Sequence, residues 1–207
     1  MIIERHEYQT QILGWQATAQ MLRAEDEATL ATGEVSRPPA RITNCLFGTQ
    51  PRIAIEWTNT SMAERDAGWA AWHATGRVEA FFEAWAGVNE KWLTSRILNL
   101  VASSDVAGEE NGVVVRWLYE PQANQTDALI ALWKEWVVDP GAHTSRILQA
   151  DFGIKSHVIL EVEYADIVDF HTKWTAWGAQ EGIEAFWGQW EQVARPGGTT
   201  ELWELMP

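Results

Sequence analysis

The chain reads as an α+β protein made of two copies of one strand, helix, strand, strand, helix, strand unit, and three observations predict this. Residues 41–100 lie over residues 146–205 at a constant offset of 105 without a gap, with 16 identities in 60 positions. The aromatic spacing is kept in both copies, as in Trp69/Trp174, Trp72/Trp177, Phe81/Phe186 and Trp85/Trp190. Within each copy the apolar period switches between two and about 3.6 in the order of those elements. Self-similarity at a fixed offset is the strongest of the three, because it constrains the architecture as a whole.

The first strands are Ile2–Gln9 and Val113–Tyr119, rich in β-branched and aromatic residues. They align at an offset of 111, so the first copy carries six extra residues, which we place in the Gly33 to Pro39 loop. The first helices follow at Leu13–Leu30 and Thr126–Val138; in the latter Leu129, Leu132, Trp133 and Trp136 recur at spacings of three and four before Pro140-Gly141 stops the helix. Arg41–Phe47 with Arg52–Thr58, and Arg146–Phe152 with His157–Tyr164, are predicted hairpins across short Gly-containing turns.

The second helical regions run from Met62 to Val88 and from Ile167 to Val193. Between Trp69 and Val78 the apolar face turns by roughly 900°, half a turn out of phase, which predicts breaks near Thr75-Gly76 and Gln180–Gly182. The last strands are Leu93–Val101 and Thr199–Met206, and polar Ala102–Asn111 reads as an exposed link. The expected domains are thus 1–101, a linker 102–111, and 112–207. The βαββαβ order is ferredoxin-like. A sheet with both helices on one face leaves the other bare, so the two copies are expected to cover each other as a pseudo-dimeric α/β-barrel. Such a chain is either a monomer with pseudo-twofold symmetry or a weak homodimer.

Composition narrows the function classes. Hydrophobic residues are 46% and charged residues 21%, enough for a packed core. A formal charge of −14 repels phosphate backbones and anionic lipid, so neither nucleic acid nor a membrane surface is expected as a partner. Cys45 is the only cysteine, so no internal disulfide forms, and Met1-Ile2-Ile3-Glu4-Arg5 lacks the apolar core of a secretory signal; a soluble cytoplasmic protein is expected. The unusual feature is 14 Trp against 3 Tyr and 6 Phe, which supplies wide, flat apolar walls.

The segment Ile55-Glu56-Trp57-Thr58-Asn59-Thr60-Ser61-Met62-Ala63-Glu64-Arg65 resembles the strand-to-helix signature of the NIPSNAP family, and Thr94-Ser95-Arg96-Ile97-Leu98 resembles its last strand. The likeness follows the element order of residues 1–100; in the second copy Tyr164-Ala165-Asp166 stands in place of Asn59-Thr60-Ser61. The wider superfamily of dimeric α/β-barrels holds cofactor-free antibiotic-biosynthesis monooxygenases, polyketide cyclases, isomerases, and haem-binding degraders and dismutases. The resemblance implies a fold and a pocket between sheet and helices, not a reaction. Its pocket positions fall on Trp57, Asn59, Trp69 and Trp72, and on Val162, Tyr164, Trp174 and Trp177.

The same tryptophans also suit plain core packing, since aromatic stripes at helical spacing bury themselves. Five histidines are possible proton acceptors: His6, His73, His143, His157 and His171. None stands four residues from another, and no metal site is expected. His73 follows Trp72 where the other copy has Gly178, and His171 precedes Trp174 by one turn where the other copy has Asp66, so each copy offers one candidate base, set against a surface or capping role. Tyr8 and Tyr119, kept in both copies, are candidates to donate to a substrate carbonyl or to close a pocket rim. On the third strands Val158, Leu160 and Val162 alternate with Ile159, Glu161 and Glu163; the apolar side should meet the helices, leaving Glu56, Glu161 and Glu163 on the other. Arg5 and Arg116 are expected to pair with those carboxylates across the pseudo-twofold axis.

No phosphate loop, Gly-x-Ser-x-Gly elbow or cysteine nucleophile signature is present, which disfavours nucleotide cofactors and acyl-enzyme chemistry. The leading expectation is a cofactor-independent enzyme that oxygenates, cyclises or isomerises a small aromatic or polycyclic metabolite in a biosynthetic pathway. The alternative is a non-catalytic binding protein for haem or another flat hydrophobic ligand, with His73 or His171 as axial ligand. A third is a NIPSNAP-like protein that acts through a partner.

Overall fold

The computed structural model describes residues 1–11, 14–48, 51–108, 112–152 and 157–206. The expected start of the first helix at Leu13 and the linker's end at 109–111 lie outside the described residues. The chain divides into two compact units, the first built on residues 1–99 and the second on 100–150 and 154–205.

In the first unit the order is β1 (Ile2–Thr10), α1 (Trp15–Leu30), β2 (Arg41–Phe47), β3 (Arg52–Asn59), α2 (Met62–Ala74), α3 (Val78–Val88) and β4 (Asn89–Ser103). The strands pair antiparallel in the order β4-β1-β3-β2. In the second unit β5 (Val113–Tyr119), α4 (Thr126–Trp133), β6 (Ser145–Phe152), β7 (Val158–Tyr164), α5 (Ile167–Gly178), α6 (Ile183–Val193) and β8 (Thr199–Met206) pair as β8-β5-β7-β6. Both orders are those of a ferredoxin-like sheet. Among the described residues no helix is long and apolar enough to cross a membrane, which says nothing of strands.

Both second helices break where the phase argument predicts. Gly76 (φ 71°) separates α2 from α3, and Gly182 (φ 85°) precedes α6, each in the left-handed region open to glycine. Each helix after β3 or β7 starts with a side-chain cap. Ser61 Oγ accepts from Glu64 N at 3.2 Å while Glu64 Oε2 accepts from Thr60 N at 2.5 Å, a reciprocal capping box. Asp166 Oδ1 accepts from Val168 N and Asp169 N, both at 2.8 Å. The NIPSNAP-like Ser61–Arg65 run is therefore, in part, a helix start signal.

Three elements differ from expectation. The helix after β5 turns α-helical only to Trp133 and continues as one π turn, Lys134–Val138; apolar spacings of three and four do not reveal an inserted residue. β4 is longer than expected and carries two irregularities: Glu7 faces Thr94 but Tyr8 faces Trp92, and Gln9 faces Lys91 but Thr10 faces Asn89, so Leu93 and Glu90 are skipped as β-bulges. The link after β4 is exposed but pinned, with Ser104 Oγ donating to His143 O at 2.8 Å and Thr144 Oγ1 donating to Ala107 O at 2.5 Å.

Strand alternation separates two faces in each sheet. Facing the helices of the first unit, Tyr8, Ile42, Ile53 and Ile55 pack with Ala19 and Leu22 of α1. On the other face Arg5, wholly buried, donates to Glu56 at 2.5 Å, and Arg116 donates to Glu161 at 2.6 Å. Arg5 and Glu56, like Arg116 and Glu161, are directly opposed cross-strand neighbours. The sequence placed these pairs across the pseudo-twofold axis, whereas these bonds run within each sheet, because the strand register already sets the charges side by side.

Candidate functional site

The first unit holds an aromatic pocket between its sheet and its helices. Tyr8 and Trp92 from the sheet, Trp57 and Asn59 from the end of β3, Trp69 and Trp72 from α2, and Phe81, Phe82 and Trp85 from α3 line it, with a cavity volume of about 70 Å³. The rings stand mostly edge to face: Trp57 to Trp69 at 6.2 Å, Trp69 to Trp72 at 5.5 Å, Tyr8 to Trp85 at 4.3 Å. A cavity of that size leaves little slack between so many large side chains, so a polycyclic guest must part the rings.

Three carboxylates fix the wall indoles by their N–H groups. Trp57 Nε1 donates to Asp26 at 2.9 Å, Trp72 Nε1 to Glu25 at 3.0 Å and Trp69 Nε1 to Glu4 at 3.0 Å. Each carboxylate in turn holds an arginine, Asp26 with Arg37 at 2.5 Å, Glu25 with Arg77 at 2.7 Å and Glu4 with Arg65 at 2.8 Å. Arg37, from the loop between α1 and β2, thus contributes to the pocket wall.

β1 contributes Glu4, His6 and Tyr8, all buried and all on the face toward the helices; Glu4 and Tyr8 line the pocket, and His6 borders the cleft beside it. His6 Nε2 lies 2.9 Å from Glu4 Oε1, and His6 Nδ1 lies 3.0 Å from Ser95 Oγ, its cross-strand neighbour on β4. Trp92 Nε1 donates to Ser95 Oγ at 2.9 Å. Burial raises the pKa of Glu4, but hydrogen bonds from His6 and Arg65, the charge of His6 and the indole of Trp69 outweigh it and hold the carboxyl below its usual 4.5. An ionised carboxylate only accepts, so in neutral His6 the hydrogen sits on Nε2 and Nδ1 accepts from the Ser95 hydroxyl. Trp57, Trp69 and Trp92 surround the imidazole, with ring centroids 5.4, 5.9 and 5.1 Å away. On its outer side the group opens onto a second, wider cleft bordered by His6, Arg65, Trp69, Trp92 and Ser95.

The sequence-based candidates are distributed unevenly over this arrangement. Trp57, Asn59, Trp69, Trp72 and Tyr8 line the pocket. Burial, then the charge of Glu4, pushes the Tyr8 phenol well above its ordinary 10, so it stays a neutral donor. Tyr119, half-buried and raised by burial, packs edge-on against Trp190 at 4.5 Å. Tyr164 is buried against Phe170 at 5.2 Å, and Trp174 stacks between Trp117 at 5.2 Å and Trp177 at 5.0 Å. His73 and His171 are both exposed on the outer sides of their helices, so the structure brings neither a base nor an axial ligand from them to the pocket. His73 follows Trp72, and a helical neighbour of an inward-facing side chain is turned about 100° away from it; His171 shares the side of Trp174, which is itself exposed.

Sequence reasoning passed over Glu4, Ser95 and Trp92, and counted His6 only as one histidine of five. A signal existed: on the first strand of one copy Glu4 and His6 share the face of Tyr8, where the other copy has Val115 and Trp117. Polar residues at core positions in only one of two copies mark a site.

No family model and no curated protein matches this chain. Solved structures do, along its whole length. A candidate monooxygenase from Fusobacterium nucleatum subsp. nucleatum superposes over 100% of this chain and 92% of its own, with TM-score 0.68 and 10% identity. An anthrone oxidase-like protein matches over 100% and 91%, with TM-score 0.63 and 10% identity. A chlorite dismutase variant from Candidatus Nitrospira defluvii matches over 100% and 90%, with TM-score 0.58 and 9% identity. At such identities the shared property is the fold.

Proposed function

We propose that the first unit is the working half of an enzyme that takes a small aromatic or polycyclic metabolite between its indole walls and removes a proton from it without a cofactor. His6 is the proton acceptor, through Nδ1, and Glu4 orients the imidazole and balances the charge that develops on it. The observation that carries this reading is the buried His6–Glu4 pair at 2.9 Å, of which Glu4 lines the aromatic pocket and His6 borders the adjoining cleft. An oxygenation, cyclisation or isomerisation of a phenol or enol can each begin with such a deprotonation, and the names of the monooxygenase and anthrone oxidase-like structural neighbours point the same way. Tyr8, kept neutral, is placed to donate to a substrate carbonyl. We take the second unit as a diverged copy of the first, in keeping with the 16 shared residues and the common order of elements.

The test is a panel of hydroxylated anthrones and simpler phenols, followed by Trp fluorescence and by turnover. The expected outcome is that His6→Ala loses turnover by about 10²–10⁴-fold while the ligand still quenches fluorescence. Full activity in that variant would remove His6 as the base.

A further inference from the structure

We propose that Ser95 is a nucleophile and that Ser95, His6 and Glu4 form an acyl-transfer site for small aryl esters, open on the outer cleft. This goes beyond the proton abstraction proposed above, which needs His6 but not a serine. The Ser95 side chain is exposed, so an acyl group has access to it. Its hydroxyl lies 3.0 Å from His6 Nδ1, and the opposite ring nitrogen lies 2.9 Å from Glu4. These are the three roles of a serine triad, with the two ring nitrogens exchanged: a hydroxyl, a base that takes its proton, and a carboxylate that fixes the base. The contact from Trp92 sharpens the arrangement. An indole N–H can only donate; shared between Ser95 Oγ at 2.9 Å and Thr94 O at 3.2 Å, it occupies a lone pair of the hydroxyl oxygen and leaves the single hydroxyl proton to point at His6.

The chemistry balances without an added reagent other than water. Ser95 Oγ attacks the ester carbonyl carbon as its proton passes to His6 Nδ1, and the imidazolium so formed faces the Glu4 carboxylate. The tetrahedral oxyanion collapses, the acyl carbon–oxygen bond to the aryl group breaks, and the departing aryl oxide takes the proton from Nδ1. Water then enters the acyl-serine by the same route, releasing the acid and restoring Ser95. Arg65 Nε–H, buried at the same cleft, has no hydrogen-bond partner among the described residues and is a donor for the oxyanion. Trp69 and Trp92, which border the cleft, offer stacking surfaces for the aryl group.

No elbow motif marks this site, because the three residues come from two neighbouring strands in register rather than from one turn. The experiment exposes the full chain to an aryl fluorophosphonate and locates added mass by peptide mapping, with p-nitrophenyl acetate hydrolysis as the second readout. One equivalent of label on Ser95 is expected, absent in Ser95→Ala and formed at least about 10²-fold more slowly in His6→Gln. A folded protein that takes no label, a label on another residue, or an equal labelling rate in His6→Gln would overturn the proposal. Circular dichroism and Trp fluorescence confirm folding, and Ser95→Ala alters an exposed side chain. The two readings separate cleanly: loss of labelling with retained phenol deprotonation removes the serine and leaves the base.

Discussion

The two units use the same scaffold positions in opposite ways. In the first, β1 places Glu4 and His6 beneath the helices; at the same register β5 places Val115 and Trp117. Counting from the starts of α1 and α4, Leu22 corresponds to Trp133 and Glu25 to Trp136, and on the later helix Arg65 corresponds to Phe170. The second unit fills these places with stacked rings, Trp133 on Trp190 at 5.5 Å and Trp117 on Trp174 at 5.2 Å. One unit therefore has a polar cluster under an aromatic roof, and the other an aromatic core. Tryptophans at matching positions of both units do not by themselves mark a site; the small and charged residues set among them in the first unit do.

The largest effects should come where the two units agree, at the charges on the far face of each sheet. Arg116→Met leaves the buried Glu161 with Arg146 as its remaining close cation and Glu201 without a neighbour at 3.7 Å, and should cost about 3 kcal/mol in urea unfolding. Arg5→Met should cost less than Arg116→Met, because the residue facing Arg5 across β4 is Arg96, where Arg116 faces Glu201. Equal losses would mean that the second carboxylate contributes nothing.

Exchanging the pocket residues probes the contrast itself. Trp133→Leu in the second unit should destabilise by about 2–3 kcal/mol, since a fully buried indole is lost from a stacked core. The reverse change, Leu22→Trp, should abolish ligand quenching while changing stability by no more than about 1–3 kcal/mol. If Leu22→Trp still binds ligand, the pocket described here is not the one used.

The smallest effects are in the acid dependence, and they differ between the units in sign-defined windows. Glu4 has its folded pKa below the ordinary 4.5, so its contribution is present above that value and is lost as pH falls through the lowered one. His143 is lowered below 6.5 by burial and then by the charge of Lys173, so the stability that comes from its neutral form is present above 6.5 and lost as pH falls through its depressed value. Hydrogen exchange across pH should therefore show the second unit loosening at a higher pH than the first. His143→Phe should remove the earlier slope and Glu4→Gln the later one.

Much of the fold was legible because it rests on periodicity. The order of elements along the chain, the hairpins and the breaks at Gly76 and Gly182 follow from the period of apolar residues and from the glycines that interrupt it. The site was legible only for the walls, Trp57, Asn59, Trp69 and Trp72, because they share the helical and strand patterns. Its reactive groups were not: His6 and Ser95 are 89 residues apart and meet only through the pairing of β1 with β4. His73 drew attention by following Trp72, yet adjacency on a helix separates two side chains by about 100° rather than joining them; His171, one turn before Trp174, lies on a side of its helix that is open to solvent there.

The bulge in β4 decides what stands beside Ser95. Three residues separate Trp92 from Ser95, and regular alternation over that distance would put them on opposite faces of the sheet; because Leu93 drops out of the pairing, Trp92 faces Tyr8 and its indole reaches the serine. Deleting Leu93 would restore an unbroken ladder with Trp92 still opposite Tyr8, so this contact should outlive the irregularity that now accompanies it.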